Sequence, residues 1–299
     1  MAGLLDEIGG KLAERWVSLL ALPGSLFLGT AWAAHVLGGG RPFDVGRLLR
    51  EVERYADWTD VHGGAGLFLA LVAALLLAVV PGLAVQALAR AVQVLWLGPW
   101  PGGVGERLVR RRGVRRARAD AEVAAHLRNH ERDGDEAELA AARAAEARRD
   151  RIAPLPPARP TRMGDRMHAL EHRVGAYYAV PFTAVWPRLW LAATEADRGE
   201  IRTAAGAFEA STRLCGWGLL YTALACVTGW WPALVAGAVV VLAAWWLGRE
   251  RLFALADLVD AVVDLRLRSV ARAVGIPVPP GPVAPATWRE LDLVLRRRR

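Results

Sequence analysis

Apolar and charged positions are segregated along this chain. Three runs carry no charged residue, Trp16 to Gly40, Gly63 to Ala89 and Leu214 to Gly248, and segments dense in arginine and acid lie between and after them. The first run has its helical heart at Trp16 to Leu37. Those 22 residues rise about 33 Å, enough to cross a ~30 Å hydrocarbon core. Asp6, Glu7 and Glu14 precede it against Lys11 and Arg15, the wrong balance for a signal-peptide n-region, so a retained span is expected.

The second run holds 27 uncharged residues and continues apolar from Ala91 to Pro101. Its length fits one tilted span with an interfacial extension, interrupted in its last third by Pro81-Gly82. Gly66, Ala70, Ala74, Ala78 and Gly82 recur every four residues, a row of small side chains that predicts close packing against another helix. The third run, 35 residues, would be about 52 Å long as one helix, far more than a bilayer needs. Gly229-Trp230-Trp231-Pro232 divides it into a hairpin, with a span from about Arg213 to Trp230 and another from Pro232 to Leu247. The pattern therefore predicts an all-α integral membrane protein with four transmembrane helices and a helical cytoplasmic segment.

Composition agrees with that class. Hydrophobic residues make up 54% of the 299 positions while 23% are charged, a combination that excludes a disordered chain and a purely soluble enzyme once the charges are this segregated. Orientation follows from arginine. Residues 102–213 hold 21 arginines against 16 acids, residues 249–299 hold ten against six, and the Trp230-Trp231 turn holds none. The positive-inside rule places both segments and both termini in the cytoplasm, in a multi-pass protein of the cell membrane. Four regions result: an N-terminal transmembrane pair (1–101), an Arg-rich helical segment with a Pro-rich linker (102–213), a transmembrane hairpin (214–248), and an amphipathic helix with a basic tail (249–299).

Arg107, Arg110, Arg111, Arg112, Arg115, Arg116 and Arg118 follow the second run closely and are expected to meet anionic lipid headgroups; nucleic acid is not the expected partner. Ala119 to Arg151 reads as solvated helix broken at Gly134, and Ile152 to Pro160 as a stiff linker. Thr161 is placed to cap a helix running towards Val174, and Thr287 to cap a last short one. The aromatic stretch from Tyr177 to Leu191 is expected to lie on the membrane surface or against the spans. Leu252 to Val274 reads as an amphipathic helix with Asp257, Asp260 and Asp264 on one face.

Two patterns resemble catalytic chemistry. His168, Glu171 and His172 match H-x-x-E-H, in which two imidazoles one helical turn apart hold zinc and the glutamate activates water. The aspartate face at 257, 260 and 264 has the character of a magnesium–diphosphate site. The zinc pattern lacks a third ligand and the aspartate pattern a second motif. No ionisable side chain falls within the predicted spans, which argues against proton-coupled transport. Cys215 and Cys226 are too far apart on one helix to bond.

Pro160-Thr161-Arg162-Met163-Gly164-Asp165, Glu171, Tyr177-Tyr178, Trp186-Pro187-Arg188-Leu189-Trp190, and later Ala256-Asp257-Leu258-Val259 and Asp264-Leu265 resemble a group of actinobacterial multi-span membrane proteins of unassigned function. Those proteins carry Pro-Thr-Arg-Leu-Gly-Asn-like and Trp-Pro-Arg-Leu-Trp segments after a Pro-rich linker. The likeness covers roughly 160–274 and departs at Met163 and Asp165 and in the residues after Tyr178. It implies a shared architecture, supplies no activity, and does not require histidines at 168 and 172.

The expected function is a non-catalytic membrane protein, either a scaffold or regulatory component or a small oligomeric pore. The alternative is a metal-dependent membrane enzyme acting through His168, Glu171 and His172 or through the three aspartates. No cofactor is implied. Expected partners are anionic lipids, with a second copy or another membrane protein.

Overall fold

The computed structural model describes residues 22–278 and 285–297, those at 57–62, 285, 296 and 297 by their backbone alone. Trp16 to Ala21, where the first expected span begins, and the side chains of the basic run Arg296 to Arg299 lie outside the described residues. Among those described, every regular element is a helix. They are α1 (Leu22–Leu37), α2 (Val45–Leu97), α3 (Gly103–Asp133), α4 (Glu136–Ile152), α5 (Arg162–Tyr178), α6 (Phe182–Ala192), α7 (Glu195–Thr228), α8 (Trp231–Ala273) and α9 (Pro285–Arg297). Gly63, at φ 63° and ψ −170°, breaks α2.

Two of the four expected spans appear as helices long and apolar enough to cross a membrane, judged by length and composition: Gly63–Leu97 and Trp231–Ala273. The described part of α1 is a shorter apolar helix, and the apolar run Leu214 to Thr228 is the end of the longer α7. Several expected boundaries are corrected. Pro81 lies inside a helix that continues past it. Neither Arg213 nor Gly248 marks a helix end, because α7 begins at Glu195 and α8 runs on to Ala273. The change from charged to apolar sequence there leaves helix propensity high, so the backbone hydrogen bonding continues. The last helix starts at Pro285 rather than after Thr287, in keeping with the preference for proline at the first helical position.

The chain divides into two compact units, residues 1–92 with 209–248, and residues 93–208 with 249–299. In the first, α1 meets α2 backbone to backbone: a Cβ on Gly24 would stand 2.0 Å from the Ala78 carbonyl oxygen. Phe27 of α1 packs edge-on against Tyr221 of α7 at 5.4 Å. The turn between α7 and α8 passes through Gly229 at φ 70°, and the Trp230 indole N–H donates to the Pro42 carbonyl at 2.9 Å.

In the second unit, α3 and α4 form a hairpin. Gly134 closes α3 in the left-handed conformation, and Asp135 caps α4 by accepting the Ala137 N–H. The core lies among α5, α6, α8 and α9. Leu252, Ala256, Val259, Val263, Leu267 and Val270 of α8 are buried at three- and four-residue spacing, one continuous stripe. Leu170, Val174 and Tyr178 of α5, Val185 and Leu189 of α6, and Trp288, Leu291 and Leu295 of α9 pack together with the lower part of it. This bears on the stretch from Tyr177 to Leu191, expected on the membrane surface or against the spans, since α8 is one of the two helices long and apolar enough to cross a membrane. Tyr178, Val185 and Leu189 enter the unit's own core, because the α8 stripe offers them an apolar face; Tyr177 and Leu191 stay exposed.

The contact of Gly24 with Ala78 generates a test. Gly24→Leu should destabilise the full chain in detergent by about 2 kcal/mol or more, as overpacking against backbone does. Gly29→Ala, at a site where a Cβ meets nothing within 4 Å, should change stability by less than about 0.5 kcal/mol. Thermal unfolding of both variants checks this, and equal effects would show that the contact does not set the helix spacing.

Candidate functional site

The seven arginines of the basic cluster all lie on α3, and the helix sorts them. At 100° per residue Arg107, Arg110, Arg111, Arg115 and Arg118 fall within an arc of about 140°, with Arg112 and Arg116 on the other side. The first five are exposed. The other two turn inward, to 16% and 14% side-chain exposure, and bind the Pro-rich linker. Arg112 donates through Nη1 to the Arg159 carbonyl at 2.8 Å and through Nη2 to the Ile152 carbonyl at 2.6 Å. Arg116 donates to the Ala153 carbonyl at 3.1 Å and to Asp120 at 3.1 Å. The headgroup expectation is therefore corrected for Arg112 and Arg116, whose guanidinium groups have internal acceptors.

Asp165 is the acid of this network. Its side chain is 4% exposed, and Oδ2 lies 2.5 Å from Arg112 Nη1. Oδ1 accepts the N–H groups of Ala158 and Arg159 at 2.9 and 2.8 Å. One turn earlier, Thr161 caps α5 by accepting the Gly164 N–H at 2.9 Å, and its hydroxyl donates to the Trp96 carbonyl. A Cβ on Gly164 would come within 2.9 Å of the Leu97 carbonyl oxygen, so the first turn of α5 rests on the end of α2. The segment from Pro160 to Asp165 thus works as a junction that ties α2, α3 and the linker to α5.

The aspartate face of α8 meets arginines of α5. Arg166 pairs with Asp257. Arg173 bonds Asp260, through Nε at 2.7 Å, and Asp264 at 3.1 Å. The Tyr178 hydroxyl donates to Asp264 at 2.6 Å. Burial, and then the bond to Asp264, push the phenol well above its ordinary pKa. Burial by itself would lower Arg173, and its bonds to Asp260 and Asp264 outweigh that and raise it. All three carboxylates that could have held magnesium are engaged by cations or a hydroxyl of the chain.

His168 and His172 lie one turn apart on α5 with ring centroids 6.5 Å apart, and Glu171 and His172 are exposed. Among the described residues no group of three His, Cys, Asp or Glu side chains is placed to hold a metal ion. The small-residue row of α2 is used in part: Ala78 and Gly82 are buried, Gly66 is half-buried, and Ala70 and Ala74 are exposed. Both cysteines are free.

Reading the arginine cluster as one patch missed the roles of Arg112, Arg116 and Asp165. The helical wheel of α3 carries the signal for the first two, since it sets them apart from the other five. For Asp165 the signal is an acid four residues after an N-cap, at the end of a linker whose prolines leave its carbonyls unpaired. Protein-family profiles, curated proteins and solved structures contain no match to this chain.

Removing the carboxylate at Asp165 leaves Arg112 buried without its counter-charge. Asp165→Ala should therefore cost about 3 kcal/mol or more. Asp257→Ala, which breaks a pair whose aspartate is 68% exposed, should cost less than about 1 kcal/mol. Unfolding of the two variants in the same detergent gives the comparison, and similar costs would contradict the role assigned to Asp165.

Proposed function

We propose that the chain is a four-span protein of the cytoplasmic membrane, with both termini inside, that works without catalysis as a scaffold or regulatory component through its cytoplasmic helices. The observation that supports this most is the surface of α2. Leu67, Phe68, Leu69, Leu71, Leu75, Leu76, Leu77 and Val80 are 47–67% exposed, and at 100° per residue they point to every side of the helix. Water does not tolerate an apolar surface of that extent, whereas acyl chains cover it without cost. The apolar half of α8 repeats the feature at Leu234, Val235, Val239, Leu242 and Trp246. The runs Trp16 to Leu37 and Leu214 to Thr228 are the other two spans of this reading.

Arginine-rich segments on the cytoplasmic side follow from the positive-inside rule. The five exposed arginines of α3 are the contact with anionic headgroups, each contributing about 1 kcal/mol near such a surface. A scaffold fits the site chemistry better than an enzyme does. The carboxylates that resemble a catalytic set are tied into pairs that hold α5 on α8, and His168, Glu171 and His172 have no third ligand near them among the described residues.

Topology tests the proposal. In a background with Cys215 and Cys226 replaced by alanine, Arg47→Cys should react with a membrane-impermeant maleimide on intact cells, and Arg128→Cys only after lysis. The protein should also stay in the membrane through an alkaline carbonate wash. Release by carbonate, or labelling of both cysteines on intact cells, would overturn it.

A further inference from the structure

The end of α2 and the Pro-rich linker enclose a small pocket. Gln93, Val94, Leu97, Gly98 and Pro99 form its walls, and Arg159 of the linker closes one side. Its volume is about 310 Å³, at the lower end of the range that small ligands occupy. The Gly98 N–H donates to the Val94 carbonyl at 2.8 Å and closes the last turn of α2. The Trp100 indole N–H then reaches back to the Leu95 carbonyl at 2.7 Å. Arg159 is held at both of its backbone groups: its carbonyl accepts from Arg112 at 2.8 Å, and its N–H donates to Asp165 at 2.8 Å. Its stem lies against the first turn of α5, where a Cβ on Gly164 would meet Arg159 Cβ at 2.8 Å and the Leu97 carbonyl oxygen at 2.9 Å. These contacts fix where the side chain starts. Its guanidinium forms no ion pair with a carboxylate among the described residues.

We infer that this pocket binds the headgroup phosphate of an anionic phospholipid, with Arg159 as the residue that holds it. A guanidinium fork matches phosphate oxygens in bidentate geometry, with charge-assisted hydrogen bonds. Apart from Gln93 the other walls are apolar or glycine. Such a lining suits an amphiphile, whereas a free anion would lose its water and find few donors in exchange. Val94 and Leu95, 66% and 47% exposed, give the acyl chains an apolar exit beside the pocket. The pocket lies at the end of Gly63–Leu97, a helix long and apolar enough to cross a membrane. Trp96 and Trp100 stand at the same end, and indole rings favour the headgroup level. The inference rests on the membrane reading above. It differs from the contact assigned to α3, because one side chain in an enclosed site selects the ligand there, not a charged surface.

Native mass spectrometry of the full chain in detergent, titrated separately with phosphatidylglycerol and with inorganic phosphate, tests the inference. Arg159→Gln should weaken the first phosphatidylglycerol to bind at least about tenfold, the effect of losing one charge-assisted hydrogen bond. Arg159→Lys should recover part of the loss. Val94→Glu places a negative charge at an exposed wall position and should weaken binding as much with Arg159 intact. Arg128→Gln removes the charge of an exposed arginine of α3 and should leave binding unchanged within about twofold. Inorganic phosphate should bind at least about tenfold more weakly than the lipid. Equal lipid binding by wild type and Arg159→Gln, equal loss in Arg128→Gln, no lipid binding, or phosphate binding as tight as that of the lipid would overturn the inference. Thermal unfolding checks the fold of each variant, and if Arg159→Gln unfolds early the Val94→Glu result decides. Failure of the membrane reading shows separately, as release of the wild type by alkaline carbonate. Retention of the wild type, together with equal lipid binding by Arg159→Gln, overturns the pocket alone.

Discussion

The buried ion pair between Arg112 and Asp165 carries the architecture of the second unit. The linker from Ala153 to Pro160 contains four prolines and forms neither helix nor strand, so its carbonyls, and that of Ile152 at the end of α4, need donors from elsewhere. Arg112 and Arg116 supply them at Ile152, Ala153 and Arg159. Asp165 completes the arrangement by accepting Arg112 and two linker N–H groups. A charge pair this far from water is costly unless its remaining hydrogen-bonding positions are filled. Here both partners have them filled by the linker backbone, which makes the linker's path and the pair's stability one problem.

From that junction the position of α5 follows. Thr161 and Gly164 seat its first turn on the end of α2, and Leu170, Val174 and Tyr178 then face the apolar stripe of α8. The pairs of Arg166 with Asp257 and of Arg173 with Asp260 and Asp264 lie at the rim of the contact. Exposed pairs contribute little to stability, so their main effect is on register: a slip of α5 by one residue would turn Arg166 and Arg173 away from their partners. The residues that look most like chemistry in this chain are thus organised as structural joints.

Local rules made much of this legible from sequence. The Thr161 cap, the Gly134 break, the α7–α8 turn at Gly229 and the amphipathic stripe beginning at Leu252 each depend on a few neighbouring residues and stand where the sequence places them. Long-range pairing was the part that did not show. Nothing near Arg112 in sequence announces an acid 53 residues away, and nothing near Trp186 announces that its helix packs in a core with Val259 and Val263. Arg213 and Gly248 misled for a different reason. A switch from charged to apolar residues reports a change in what surrounds a helix, and alanine, leucine, arginine and glutamate all keep the helix going. The four-residue row on α2 was half informative: Ala78 meets Gly24, whereas Ala70 and Ala74 are exposed.

The most direct test of the account is a double-mutant cycle at the junction, with Arg112→Met, Asp165→Leu and the pair of changes together, followed by unfolding of the full chain in detergent. A coupling energy of at least about 2 kcal/mol, with the double variant more stable than the sum of the single losses implies, is the predicted result. Additivity within about 0.5 kcal/mol would mean that the two residues do not depend on each other, and the junction would lose its place at the centre of the fold.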